Sequence, residues 1–147
     1  IEAVGGDSQD MGLAVSLAAM TEIPVMALFA WLVKKIRVER LLRFSAVMWI
    51  VRSGFFCLCT SVVSIYGAQL MQMITYGLYI PASVYYADQV MDPDHKVQGQ
   101  ALMTMAFTVG SVFGNFLGGI LIDRFSVHTM LYFCAFCTTA GTLCFFA

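Results

Sequence analysis

Charged side chains are scarce in this sequence. Only 12% of its 147 residues are Asp, Glu, Lys or Arg, whereas a soluble domain contains about 25%. Because 60% of the residues are hydrophobic, so few charges could not cover the apolar surface in water, and the composition excludes an ordinary soluble protein. No basic cluster of the kind that nucleic acid requires is present. We therefore predict a protein dissolved in the lipid bilayer, with no nucleic-acid partner.

Groups that would support catalysis or metal binding are also lacking. The sequence contains no nucleophile–base arrangement, no phosphate-binding loop and no cluster of metal ligands. Cys134 and Cys137 have the spacing of a redox or zinc pair, but no second pair accompanies them. We interpret the five cysteines as small packing residues. The protein is predicted not to be an enzyme and to need no metal or cofactor, a coupling proton aside.

Long hydrophobic runs fill most of the sequence. Five stretches are long enough to cross a bilayer, which takes about 20 residues. They are residues 11–33, 41–60, 63–87, 98–121 and 128–147. The predicted fold is an all-α, polytopic transmembrane helix bundle of about five spans. Since the sequence starts with Ile and ends within an apolar run, we expect a part of a longer protein.

Basic residues indicate how the spans are oriented. Six basic residues lie in or beside the connections between the first and second spans and between the third and fourth spans: Lys34, Lys35, Arg37, Arg40, Arg43 and Lys96. The connection between the fourth and fifth spans has only Arg124. Loops on the cytoplasmic side carry an excess of Lys and Arg. The connections at 34–40 and 91–98 are therefore predicted to face the cytoplasm, with the N-terminus outside.

Two ionisable residues, Glu22 and Arg52, lie in the middle of predicted spans. Each is about 16 Å from the start of its span at 1.5 Å per residue, and would cost about 2.5–3.5 kcal/mol if it faced lipid. Their spans are consecutive and antiparallel, so the two charges can face each other at one level. Two interpretations stay open: a buried pair that locks two helices, or a site for binding or coupling. Pro24 predicts a kink beside this site.

A polar stripe follows the third predicted span. Its members recur every three or four residues and so share one helix face: Gln69, Gln72, Tyr76, Tyr79, Ser83 and Tyr86, with Thr75 at the edge. Hydroxyl and amide groups interleaved with aromatic rings suit a sugar or another hydroxylated ligand. The alternative is hydrogen bonding between helices together with an aromatic belt at the membrane surface.

The fourth span carries glycines at a spacing that predicts close helix packing. Gly110, Gly114 and Gly118 recur every fourth residue and are followed by Gly119. This spacing makes a smooth groove that another helix can approach closely.

Several of these segments together resemble a known family. They are Thr21-Glu22-Ile23-Pro24, Val51-Arg52-Ser53-Gly54, Gln69-Leu70-Met71-Gln72, Gly99-Gln100-Ala101 and the segment from Gly118 to Phe125. With the inferred topology, they make the chain similar to the C-terminal half of a major facilitator superfamily transporter, in the lactose permease-like and sugar or phenylpropionate symporter-like branch. The resemblance implies part of a six-helix half and, as a partner, an N-terminal half of the same transporter.

By this resemblance, Glu22 corresponds to an acidic residue that contacts sugar, and Arg52 to an arginine tied to proton coupling. Gln72 and Thr75 occupy positions where lactose permease has a His and a Glu, and neither titrates. The connection at 34–40 also lacks the Gly and Asp of the superfamily's usual loop signature.

The function predicted from these observations is secondary transport of a small polar solute, such as a sugar, by alternating access across a bacterial cytoplasmic membrane. Its site would include Glu22, Arg52, Gln72, Thr75, Tyr76 and Tyr79. The alternatives are efflux of a drug-like or aromatic compound and a membrane scaffold that transports nothing.

Overall fold

The computed structural model describes residue 1 and residues 4–146. This part of the chain forms six α-helices and no strand, which confirms the predicted all-α fold. The helices are α1 (Ser8–Lys35), α2 (Val38–Leu58), α3 (Val62–Leu70), α4 (Tyr76–Val90), α5 (Lys96–Arg124) and α6 (Val127–Phe146). Single 3₁₀ turns occupy Met71–Met73 and Pro93–His95.

Side chains at two helix starts hydrogen-bond the free backbone amides there. The Asp7 carboxylate accepts a hydrogen bond from the Asp10 backbone N–H, and the Asp10 carboxylate accepts one from the Asp7 N–H. Ser61 and Ser64 form the same reciprocal arrangement at the start of α3. Such capping stabilises a helix by about 1 kcal/mol. It explains why α1 and α3 begin where they do.

Four helices are long and apolar enough to cross a membrane: α1, α2, α5 with the turn before it, and α6. They correspond to four of the five predicted spans; the last residue of the predicted fifth span, Ala147, lies outside the described residues. α1 is helical through Pro24. One missing N–H removes only one helix hydrogen bond there.

The predicted third span, residues 63–87, is not one continuous helix. α3 ends at Leu70, a 3₁₀ turn follows, and α4 starts at Tyr76. Residues 71–75, called the interruption below, contain no proline or glycine. The Thr75 backbone has φ −92° and ψ −90°, far from the helical ψ of about −42°. This part of the prediction was wrong, because hydropathy reports length and polarity but not continuity.

The interruption is held by side chains that bind backbone and neighbouring helices. The Thr75 hydroxyl donates to the Met71 carbonyl oxygen at 2.9 Å. A threonine hydroxyl that bonds the preceding turn competes with the regular ladder and bends a helix. Ile74 and Thr75 are both β-branched, which lowers helix propensity further. Contacts of Ile74 and Thr75 with neighbouring helices can therefore determine the local backbone conformation.

α4 lies against both α1 and α2, and these contacts place the interruption between the first two helices. At the end that is predicted to be cytoplasmic, the core consists of Val38, Leu41, Leu42, Leu78 and Ala82. α6 packs on α2, and α5 packs on α4 and α6. Most of α5 is exposed within the chain.

Candidate functional site

Arg52 spans the interruption. Its guanidinium donates one hydrogen bond to Gln69 Oε1 at 2.8 Å, at the end of α3, and another to Thr75 Oγ1 at 3.3 Å, just before α4. The side chain is only 8% exposed, and Thr75 is completely buried. Trp49 and Phe56 lie within 6 Å of the guanidinium carbon, at 5.8 and 5.4 Å from their ring centroids. One buried cation thus holds together the two ends of a broken helix.

Glu22 reaches the same interruption from the opposite helix. Its Oε1 accepts a hydrogen bond from Gln72 Nε2 at 2.9 Å. Gly77 makes this approach close, because a Cβ at that position would lie 3.3 Å from Glu22 Cα and Cγ. A side chain at Gly77 would push α1 away from α4. The glycine therefore permits Glu22 to meet Gln72.

Glu22 and Arg52 do not form a direct ion pair. The ion pairs within 4.0 Å among the described residues are Arg37–Glu39 and Lys96–Asp88. The two charges instead contact different residues of the interruption, Gln72 on one side and Thr75 on the other. The two predicted spans are thus linked through residues of the broken helix rather than by a direct contact between the charges. We call Glu22, Arg52, Gln69, Gln72 and Thr75 the polar network.

Two polar atoms of this network have no hydrogen-bond partner among the described residues. They are Arg52 Nε, a donor, and Gln72 Oε1, an acceptor, and both are buried. A buried polar atom without a partner costs about 1–3 kcal/mol, and native structures contain few of them. The network thus retains one donor and one acceptor for a water molecule or a polar ligand.

Comparison with known proteins decides the family. A sequence profile described as the Major Facilitator Superfamily matches residues 1–147. The chain belongs to this superfamily. The predicted membership is confirmed, and the chain is part of an integral, multi-pass membrane protein.

Three curated relatives illustrate the similarity. The maltose permease of Geobacillus stearothermophilus is 27% identical over 97% of this chain and 36% of its own length. The xanthosine permease of Escherichia coli (strain K12) is 29% identical over 78% of this chain and 29% of its own length. The uncharacterized transporter YwbF of Bacillus subtilis (strain 168) is 26% identical over 93% and 35%. The chain thus spans about a third of the length of these relatives. No solved structure matches it.

Two predicted site residues of this superfamily member lie beside the network rather than in it. Tyr76 and Tyr79 line a cleft of about 470 Å³ between α4 and α5, together with Ser83 and Phe107. The Tyr76 ring lies 5.8 Å from the Phe107 ring, centroid to centroid. The predicted single stripe is therefore divided, because the interruption changes the helical register between Gln72 and Tyr76. Gln69 and Gln72 bond Arg52 of α2 and Glu22 of α1. Tyr76 and Tyr79 line the cleft to α5, whereas Tyr86 packs against the core of α2 and α4.

The glycines of α5 have no close helix neighbour within the chain. A Cβ at Gly110, Gly114 or Gly119 would meet nothing within 4 Å, and one at Gly118 would meet only Met130 Cγ at 3.9 Å. The groove that these residues form is open among the described residues. Close packing there stays a prediction about a helix from elsewhere in the superfamily fold.

Sequence reasoning gave too little weight to Gln69 and missed Gly77. The sequence pattern places Gln69 in the stripe and not in the site, although Gln69 accepts the shortest hydrogen bond from Arg52. Gly77 had a weak signal, a lone glycine one residue after Tyr76, and no spacing pattern distinguished it. Only the approach of α1 explains its role.

Proposed function

We propose that this chain forms part of a secondary transporter that moves a small, hydroxylated solute by alternating access. The polar network at the interruption carries the proposal. A charged arginine, a carboxylate and two amides at mid-span are costly in a membrane and are retained where they bind or couple. The unpartnered donor at Arg52 and acceptor at Gln72 match a hydroxyl group, which can accept and donate at once.

The relatives point to the same class of solute. Maltose and xanthosine, named in two of the permeases, both carry several hydroxyl groups. In superfamily transporters the site lies near the bilayer midplane between two halves, which is the depth predicted for Glu22 and Arg52. Tyr76, Tyr79 and Ser83 would add hydroxyl groups from the neighbouring cleft. We infer a solute such as a sugar or a nucleoside.

Glu22 is the proposed carrier of a coupling proton. As a carboxylate it accepts a hydrogen bond from the Gln72 amide nitrogen. If Glu22 takes up a proton, a half-turn of that amide would turn its oxygen toward the new O–H group, since an amide offers a donor on one side and an acceptor on the other. Gln72 can thus stabilise either protonation state at little cost.

We place the transporter in the cytoplasmic membrane of a bacterium. The three relatives come from bacteria. The basic connection at 34–40 and Lys96 lie at one end of the bundle, as the positive-inside rule requires for cytoplasmic loops.

Replacing Glu22 by Gln in the full-length protein tests this proposal. We expect loss of solute uptake or of its proton dependence, with normal amounts of protein in the membrane. Glu39→Gln is the matched control, because Glu39 is half-exposed and pairs with Arg37, away from the polar network. Uptake and proton flux are measured in cells or proteoliposomes with maltose and xanthosine as first probes. Unchanged proton-dependent accumulation by Glu22→Gln would remove Glu22 from the mechanism.

Glu22→Gln also distinguishes transport from a structural role. Its amide oxygen can still accept the hydrogen bond from Gln72 Nε2, so a network that only locks helices should keep its stability in this variant. We expect the variant to fold and to lose uptake or its proton dependence, because an amide cannot take up the coupling proton. Absence of solute uptake by the unmodified protein, with normal stability, would favour the scaffold.

Efflux of an aromatic compound is the second candidate. Tyr76, Tyr79 and Phe107 give the cleft between α4 and α5 an aromatic lining, which suits a flat apolar compound. Cells that accumulate less of an aromatic dye when they express the protein, with no sugar or nucleoside uptake, would favour this function.

A further inference from the structure

We propose that a groove at the surface of the described helices binds one anionic glycerophospholipid of the cytoplasmic leaflet. The groove has a volume of about 430 Å³ and lies where α1, α2 and the interruption meet. It is separate from the polar network and does not depend on the solute.

The interior of the groove is apolar throughout. Nine of its ten lining residues are hydrophobic. Leu78 is buried among these residues, whereas Leu28 and Phe44 remain 57% and 50% exposed. The volume is roughly 14 times the ~30 Å³ that a water molecule occupies in liquid, so the groove can hold a ligand much larger than a single water molecule. In a bilayer such a groove holds an acyl chain.

The one polar lining residue lies at the end predicted to be cytoplasmic. Arg40 is exposed in the first turn of α2, close to Ile36 at the α1–α2 connection. Its guanidinium forms no ion pair with any residue that the structure describes. The nearby Glu39 is instead paired with Arg37 at 3.5 Å. Arg40 is therefore free to bind a phosphate with its fork of N–H donors.

The position of this charge determines the kind of partner. Lys34 and Lys35, in the last turn of α1, add positive charge at the same level. A cation at the headgroup level above an apolar groove complements a molecule with an anionic head and an acyl tail. Basic pockets between membrane helices on the cytoplasmic side bind anionic lipid heads. A second protein helix would cover the groove but would leave the cation without a counter-charge.

Lipid retention by the full-length protein tests the proposal. The purified protein is titrated with phosphatidylglycerol or with phosphatidylcholine of the same acyl chains, and bound lipids are counted by native mass spectrometry. We expect one phosphatidylglycerol to be retained in preference. Arg40→Gln should weaken that retention about fivefold, which corresponds to about 1 kcal/mol per basic residue near an anionic surface, and Arg40→Lys should keep most of it.

Arg43→Gln is the matched control. Arg43 lies one turn further along α2, does not line the groove, and is placed over the Phe146 ring at 5.8 Å. This variant removes the same charge and should retain phosphatidylglycerol as the unmodified protein does. Glycerol phosphate, which has the head but no chains, should not compete.

Several results would overturn the proposal. Equal losses in Arg40→Gln and Arg43→Gln would show a diffuse electrostatic attraction instead of a site. Equal retention of the two lipids, competition by glycerol phosphate, or a second protein copy in place of the lipid would each contradict it. None of these results bears on solute transport, so the proposed function stands or fails separately.

Discussion

The hydrogen bond from Arg52 to Gln69 allows a quantitative test of how the broken helix is held. The perturbation is a double-mutant cycle in the full-length protein: Arg52→Met, Gln69→Leu and both together. Methionine and leucine fill similar space without polar atoms. If the 2.8 Å bond exists, the cost of losing both partners should be smaller than the sum of the single costs.

The expected size of this coupling follows from the burial and charge of the bond. Hydrogen bonds to charged groups contribute about 1.5–3 kcal/mol, whereas bonds between membrane helices average about 0.6 and reach about 1.7 kcal/mol. Arg52 is charged and only 8% exposed, so we expect a value where the two ranges overlap, about 1.5 kcal/mol. Arg52→Met alone should cost more than the coupling, because it also leaves Thr75 Oγ1 without its donor.

The assay is reversible unfolding in mixed micelles, followed by circular dichroism. The control cycle combines Arg43→Met with Gln69→Leu, because Arg43 lies on the same helix as Arg52 without contacting Gln69. The stability losses of these two substitutions should add within about 0.5 kcal/mol. A coupling below about 0.5 kcal/mol for Arg52 and Gln69 would refute an arrangement in which one arginine joins α3 to the start of α4.

Two further substitutions test the surroundings of the network. Gly77→Val should destabilise the full-length protein by about 1–3 kcal/mol, because the added side chain overpacks against Glu22. Gly54→Val is the control and should cost clearly less, because a Cβ at Gly54 meets nothing within 4 Å. Equal losses of thermal stability in the two variants would contradict the close approach of α1 and α4. Tyr79→Phe should leave stability unchanged, because the Tyr79 hydroxyl bonds no described residue, but should weaken solute binding about three- to tenfold by loss of one neutral hydrogen bond. Tyr85→Phe is its control, and equal apparent affinities in uptake assays would exclude Tyr79 from the site.

Much of the fold could be predicted from the sequence, because in a membrane both length and polarity are local properties. A run of about 20 apolar residues must be helical there, since no water is available to the backbone. The runs at 11–33, 41–60 and 98–121 therefore became α1, α2 and α5. The unusual positions of Glu22 and Arg52 were visible for the same reason: a charge within an apolar run needs a partner.

What the tertiary structure alone decided is which partners these charges have. The sequence could show that Glu22 and Arg52 lie at one depth, but not that a broken helix separates them. Arg52 is remote in sequence from Gln69 and Thr75, and it bonds both ends of the break only when α2 packs beside α3 and α4. Hydropathy averages over such contacts, and helical periodicity assumes an unbroken register. For this reason residues 63–87 read as one span with one polar face, whereas in the folded chain Gln69 and Gln72 bond Arg52 and Glu22 and Tyr76 lines the cleft to α5.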